Sequence, residues 1–442
     1  MADHIHDLVG VGFGPANLAL AALLQEEEED PGCRTVDRRF LEARLEPTWH
    51  PGMMLEGSLI QITVLKDLVT IRNPRSRFTF LNYLREQDRL FEFLNLRDLF
   101  PSRVEFADYL GWVAGELARD VRYGRQVERV EPEGVDGRVD HLKIQARNRV
   151  TGEFEELRSR HLAVAVGGRP WTPPGIDLQP GGRAFHPKDF LPTLERHFPD
   201  RQAPYRFAVV GSGQSGAELF LYLATHYPQA EVTAVVRRFG YKPVDESDFT
   251  NEIFFPSMVD FVYDLPEEVR GGVVDSFRDV NYAVVDHPLI RRIYRFLYDE
   301  RVAGRERARV LPLHQLEGLE EPADGPIRLH LADVLRGQPR TLEVDGAVIA
   351  TGFEWSSRLP LLEPLAPYIE RDGAGDYRIE RDYRLATVDG FEPRIYLQGY
   401  AEATHGISET VLSLLPIRAQ DIARSLAAAL EARSLSALSV RS

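Results

Sequence analysis

The stretch Phe207-Ala208-Val209-Val210-Gly211-Ser212-Gly213-Gln214-Ser215-Gly216-Ala217-Glu218 is a short apolar run, then three glycines in the spacing G-x-G-x-x-G, then the start of a helical pattern. In a strand, turn and helix each glycine has its own task. Gly211 permits the tight turn, Gly213 lets the backbone approach a pyrophosphate, and Gly216 lets the helix pack closely on the strand. The unpaired N–H groups at the helix start, around Ser212, Gln214 and Ser215, then face the anion. The next apolar run, Val232-Thr233-Ala234-Val235-Val236, ends in Arg237-Arg238 rather than in an acid. A carboxylate there would repel a ribose 2′-phosphate, whereas a guanidinium pairs with it in bidentate fashion, so the expected ligand is NADPH and Arg237 its expected phosphate partner. The plain alternative is a solvated strand end.

A second fingerprint lies at the start of the chain. Asp7-Leu8-Val9 leads into Gly10-Val11-Gly12-Phe13-Gly14-Pro15-Ala16-Asn17 and the helix-like Leu18 to Leu24. Gly10, Gly12 and Gly14 supply the turn and the close approach, and Pro15 takes the third glycine position, where it suits the first turn of a helix. The acidic partner for ribose hydroxyls is Glu42, displaced along the chain by the run Glu26 to Asp30, which reads as a solvated loop after the helix. The alternative is a glycine turn that serves only strand–helix packing. Two such loops in one chain imply a resident FAD reduced by a dissociable NADPH, because hydride transfer needs one carrier that stays and one that exchanges.

Composition narrows the remaining classes. A chain of 442 residues exceeds one ordinary core, and 43% hydrophobic with 27% charged residues describes a globular protein. The formal charge of -15, with no basic block to offset it, argues against nucleic acid and against a membrane surface. The single cysteine, Cys33, excludes an internal disulfide, a cysteine zinc site and CxxC redox chemistry, and no metal is expected. The apolar start lacks a basic region and is broken by glycines, so it is no signal peptide, and a cytoplasmic location is expected.

The pattern predicts an α/β chain with two dinucleotide-binding, Rossmann-like domains and a small, mainly helical substrate-binding region. The expected boundaries are 1–175 for the first part of the FAD domain, 176–250 for the NADPH domain, 251–335 for the helical region with a return to the NADPH domain, and 336–442 for the second part of the FAD domain. The stretch from Thr48 to Asn82 reads as irregular, helical spacing runs from Arg103 to Leu117, and alternation from Arg125 to Ala146 suggests a β-meander.

Between the loops the chain resembles the flavin-dependent N-hydroxylating monooxygenases, most closely the ornithine N-monooxygenases of siderophore pathways. The resemblance covers nearly the whole chain. It rests on Trp49-His50-Pro51-Gly52-Met53, Gln61-Ile62-Thr63-Val64-Leu65-Lys66-Asp67-Leu68, Asn73-Pro74-Arg75-Ser76, Phe249-Thr250-Asn251-Glu252-Ile253-Phe254, Asn281-Tyr282-Ala283-Val284-Val285 and Thr404-His405-Gly406-Ile407-Ser408. The resemblance implies that Lys66 binds an amino-acid carboxylate with help from Asn251, that the Asn281 backbone holds the α-amino group, and that Ser408 lies on the substrate side. It implies that Trp49, His50 and Gln61 lie on the flavin side, and that Ser212, Ser215, Arg237 and Tyr282 contact NADPH. From composition alone Lys66 would read as a surface lysine.

The implied activity is NADPH- and O2-dependent hydroxylation of L-ornithine to N5-hydroxy-L-ornithine through a C4a-hydroperoxyflavin, by a homo-oligomer that is often a tetramer in the family. Lysine or a diamine as substrate, and a flavin NADPH oxidase or Baeyer–Villiger enzyme as reaction class, stay open. Asp248, where the family usually carries proline, and Gly399-Tyr400-Ala401-Glu402 depart from the family pattern next to the substrate end.

Overall fold

The computed structural model describes residues 4–135, 137–355 and 358–439, and it is organised by two sheets, one mixed and one parallel. The first runs, edge to edge, Val121–Arg122, Arg38–Leu41, Ile5–Val11, Phe154–Val164, Arg138–Asn148 and Arg125–Val135, with Ile395–Leu397 also paired to Phe154–Val164. Its centre is parallel, and the meander expected from alternation forms its antiparallel flank. The second sheet is wholly parallel, in the order Ala308–Pro312, Glu231–Val236, Arg206–Val210, Gly346–Ile349 and Ala184–Phe185. Val232 to Val236 are all buried, as a strand covered on both faces requires.

The second sheet shifts one expected boundary. Gly346–Ile349 pairs in parallel with Phe207 to Val210, not with the first sheet, so residues 346–349 belong beside the second loop and the start at 336 falls too early. An antiparallel sheet of His314–Glu320, Ile327–Asp333 and Pro339–Val344 precedes that strand. The chain crosses between the lobes twice in adjacent strands, where Arg169–Pro170 pairs with Phe353–Glu354.

The acidic run is not a loop. The helix Pro15–Glu29 continues through it, placing four carboxylates at a C-terminus, where the helix dipole disfavours negative charge. Arginines offset this: Arg72 pairs with Glu26, Arg38 and Arg119 with Glu28, and Arg77 with Glu29. Most of this helix is buried between the first sheet and the helices Arg103–Glu116 and Leu415–Ser439.

The stretch from Thr48 stays irregular apart from single turns at Pro51–Met53 and Val64–Lys66, until Thr79 caps the helix Phe80–Glu86 by accepting from the Asn82 N–H at 3.1 Å. The region after the second loop is helical as expected, over Asp248–Asn251, Pro256–Tyr263, Glu267–Phe277 and His287–Val302. Its apolar face, Val262 and Val274 with Phe254 and Tyr282, packs on Ile407 and so seats the helical region against the segment that carries Ser408.

Candidate active site

The two glycine loops leave the C-terminal ends of parallel strands in the two sheets, where open α/β folds bind nucleotides. In the first, a β-carbon on Gly10 would lie 2.1 Å from the Phe40 ring, and one on Gly12, at φ +83°, would lie 2.5 Å from the Ala165 carbonyl. Gly14 has open space beside it and starts the helix, with Pro15 at its first position. The loop is thus pinned below and bare above, which fits a pyrophosphate.

Glu42 follows the neighbouring strand, and its carboxylate accepts from the Phe13 N–H at 2.7 Å and the Arg44 N–H at 2.9 Å. A carboxylate has about four acceptor positions, so two remain for a ribose diol. Trp49 packs on Phe106 with ring centres 5.6 Å apart and on His50, which is exposed at φ +46°. The Gln61 amide, also exposed, donates to Asp286 at 2.9 Å.

In the second loop Gly211 stands at φ +140°, and a β-carbon there would lie 2.2 Å from the Ala350 carbonyl, while one on Gly216 would lie 2.8 Å from the Gly211 carbonyl. The loop opens into a cleft of about 1790 Å³ lined by Gly211, Ser212, Gly213, Gln214, Ser215, Gly216, Arg237 and Tyr282, and also by Asn281. All the residues expected on the NADPH side therefore share one cavity. Arg238 and Lys242 both pair with Asp279, at 2.8 and 2.9 Å. Arg237 is exposed in the cleft, with no hydrogen-bonding partner among the described residues.

The Tyr282 hydroxyl donates to Glu402 and contacts Thr410 at 3.2 Å, while the Arg278 guanidinium lies over its ring, 5.1 Å from the centre. Burial and the Glu402 carboxylate raise its pKa far above the ordinary phenol value. The phenol stays a neutral donor.

The residues expected on the substrate side are gathered by neighbouring elements rather than lining this cleft together. The turn Glu252–Phe254, directly after Asn251, packs on Ile407–Thr410, which carries the buried Ser408 and leads to Leu412–Leu414, which packs on Val64–Lys66. Lys66 is half-buried, and its ammonium has no hydrogen-bonding or ionic partner among the described residues. Its backbone N–H donates to the Thr63 carbonyl at 2.9 Å, and the next residue, the buried Asp67, accepts through its carboxylate from the N–H groups of Val69, Thr70 and Phe80 at 2.9, 2.6 and 2.7 Å. The Asn251 amide donates one hydrogen to the Glu246 carbonyl at 3.0 Å, which leaves its second N–H and its oxygen for a ligand. Asp248 occupies the first position of its helix, where proline and an acid are both well suited, so that departure leaves the backbone undisturbed.

Several residues were not foreseen. Glu409 and Arg418 form a buried pair at 3.0 Å, and Glu409 also accepts from the Gly399 N–H at 2.6 Å, fixing the Gly399–Glu402 segment. Asn17 donates to the Gly12 carbonyl at 2.7 Å and accepts from Gln398, clamping the first loop to the residue that follows the strand Ile395–Leu397. Asp286 follows directly on the Asn281–Val285 motif, and only its position before His287-Pro288, as a helix cap, marks it in the sequence. Among the described residues the one grouping of three metal-ligating side chains is His4, His6 and Asp37, at the opposite end of the strand Ile5–Val11 from the first loop.

Fold and cavity together define a two-dinucleotide oxidoreductase in which one loop meets a carboxylate and the other a free guanidinium. The model of the L-lysine 6-monooxygenase/L-ornithine 5-monooxygenase family matches residues 4–355, and the chain belongs to that family. It is 43% identical to an L-ornithine N(5)-monooxygenase of Burkholderia cepacia, over 91% of this chain and 90% of the relative. Among solved structures it resembles the ornithine hydroxylase PvdA of Pseudomonas aeruginosa, at a TM-score of 0.89 and 38% identity over 97% of this chain and 100% of that one. It also resembles the ornithine N-hydroxylase KtzI of Kutzneria sp. 744, described with reduced FAD, NADP+ and L-ornithine, at a TM-score of 0.90 and 36% identity over 96% and 99% of the two chains.

Proposed function

We propose that the chain hydroxylates the side-chain amine of L-ornithine to N5-hydroxy-L-ornithine with NADPH, O2 and a resident FAD, supplying an N-hydroxy amino acid of the kind that siderophore pathways turn into hydroxamates. The observation that carries it is the near full-length match to ornithine hydroxylases with both glycine loops sterically intact. The reaction consumes the amine, NADPH, a proton and O2, and yields the hydroxylamine, NADP+ and water. A bound flavin supplies what side chains cannot, hydride acceptance and O2 activation.

The protein binds, orients and dries. The bare first loop seats the FAD pyrophosphate and Glu42 its ribose, with Trp49, His50 and Gln61 on the flavin side. Gly211, Gly213, Gly216, Ser212, Gln214 and Ser215 seat the NADPH pyrophosphate, Arg237 pairs with the 2′-phosphate, and the Tyr282 ring borders the nicotinamide half. Lys66 offers its ammonium to the ornithine carboxylate with help from the remaining Asn251 amide hydrogen, the Asn281 backbone holds the α-amino group, and Ser408 closes the pocket. An aliphatic ammonium titrates near ~10.4, so a desolvated pocket is needed to favour the free amine.

A cytoplasmic location and a homo-oligomeric, tetrameric state complete the proposal. The exposed apolar side chains Phe91, Leu94, Leu96 and Phe100 support self-association, and sedimentation of the holoenzyme as a monomer would remove that element. No helix among the described residues is long and apolar enough to cross a membrane.

The substrate assignment is tested by Lys66→Ala. Loss of a charge-assisted contact is expected to raise the KM for ornithine about tenfold or more, with NADPH-dependent flavin reduction unchanged. An unchanged KM would point to an amine without a carboxylate.

A further inference from the structure

Asp286 lies where three parts of the chain meet, and each of its polar groups is committed. One carboxylate oxygen, Oδ2, accepts from the Gln61 amide at 2.9 Å and from the Gln214 amide at 2.8 Å. The other, Oδ1, caps the helix His287–Val302 by accepting from the Leu289 N–H at 2.6 Å. Its backbone N–H donates to the Gln214 oxygen at 2.9 Å, so Gln214 is held at both ends. The preceding residue, Val285, is paired on both sides, to Lys242 and Val244, which fixes the backbone from which Asp286 projects.

The circuit continues on the far side of Gln214. Its amide also donates to Glu218 at 3.0 Å, and Glu218 receives two hydrogen bonds from Arg103, at 2.9 and 3.0 Å, while Arg103 also donates to the Met53 carbonyl at 2.8 Å. Gln214 is the first helical residue of the second glycine loop, and Gln61 and Met53 belong to the irregular segment around the first loop. Two amides of different lobes thus share one oxygen that has only two lone pairs.

We propose that Asp286 is a positioning residue that locks the second glycine loop in register with the Gln61 segment and thereby sets the distance over which hydride passes between the two cofactors. This rests on the function proposed above. Hydride transfer requires near-contact of donor and acceptor, so a small displacement of one loop costs rate steeply.

Asp286→Asn isolates the effect, because it keeps shape and volume and can still cap the helix through its oxygen. It then presents an NH2 to two NH2 groups, and the shared acceptor is gone. The measurement is single-turnover reduction of the FAD holoenzyme by NADPH, with product and peroxide counted per NADPH oxidised. Reduction is expected to slow about tenfold or more, with peroxide rising at the expense of hydroxylated amine, while FAD content and the KM for ornithine hold. In a Gln61→Ala background the same substitution should cost several-fold less, since part of its partner set is already missing.

A wild-type reduction rate in Asp286→Asn, or full multiplicative costs in the double variant, overturns the proposal. Loss of FAD with an unchanged reduction rate per bound flavin overturns it too. Should wild-type enzyme reduce its flavin yet make no hydroxylamine, the proposed function fails, while the reduction rates still decide the role of Asp286.

Discussion

At the residue scale the two adjacent arginines after Val236 are equivalent in sequence and unlike in the fold. Arg238 is held by Asp279, a residue forty-one positions further on, and Arg237 is left to the cleft. Arg237→Ala is therefore expected to raise the KM for NADPH about tenfold or more and to leave that for NADH nearly unchanged. Equal rises for both nucleotides would show that Arg237 supports the fold rather than the phosphate. The glycines were legible because their requirement is local: Gly12 and Gly211 stand at positive φ against a carbonyl, and no other residue fits there. Lys66 is singled out only by a motif, and the turn that carries it is fixed through the neighbouring buried Asp67, whose partners reach to Phe80.

At the element scale the error over Glu26 to Asp30 is instructive. Acids at a helix end read as a stop signal, but four arginines from other parts of the chain pair with them, and spacing along the sequence does not reveal pairs that distant. The Glu409–Arg418 pair, hidden for the same reason, ties the turn bearing Ser408 to the helix Leu415–Ser439 and to the Gly399 backbone. Removing one partner strands a buried charge, so Glu409→Gln is expected to destabilise the holoenzyme by about 3–5 kcal/mol. Urea unfolding followed by flavin release checks this, and a midpoint equal to wild type would contradict it.

At the scale of the whole molecule, both loop-bearing strands and the strand that returns to the first sheet, Ile395–Leu397, follow from apolar runs and turn residues. The strand Gly346–Ile349 also reads as a strand, but its sheet is decided by pairing with a partner some 140 residues earlier, which no local pattern encodes. The helical region is likewise plain as helices and silent about its neighbour, the Ile407 segment on which it packs. What the lobes do together is an account of one reaction, and it is tested most directly by product analysis. Incubation of the FAD enzyme with NADPH, O2 and separately L-ornithine, L-lysine, putrescine and cadaverine should yield a hydroxylamine from ornithine, with NADPH and O2 consumed in step. NADPH oxidation that gives only peroxide with every amine, or a hydroxylamine from a diamine but not from ornithine, would contradict it.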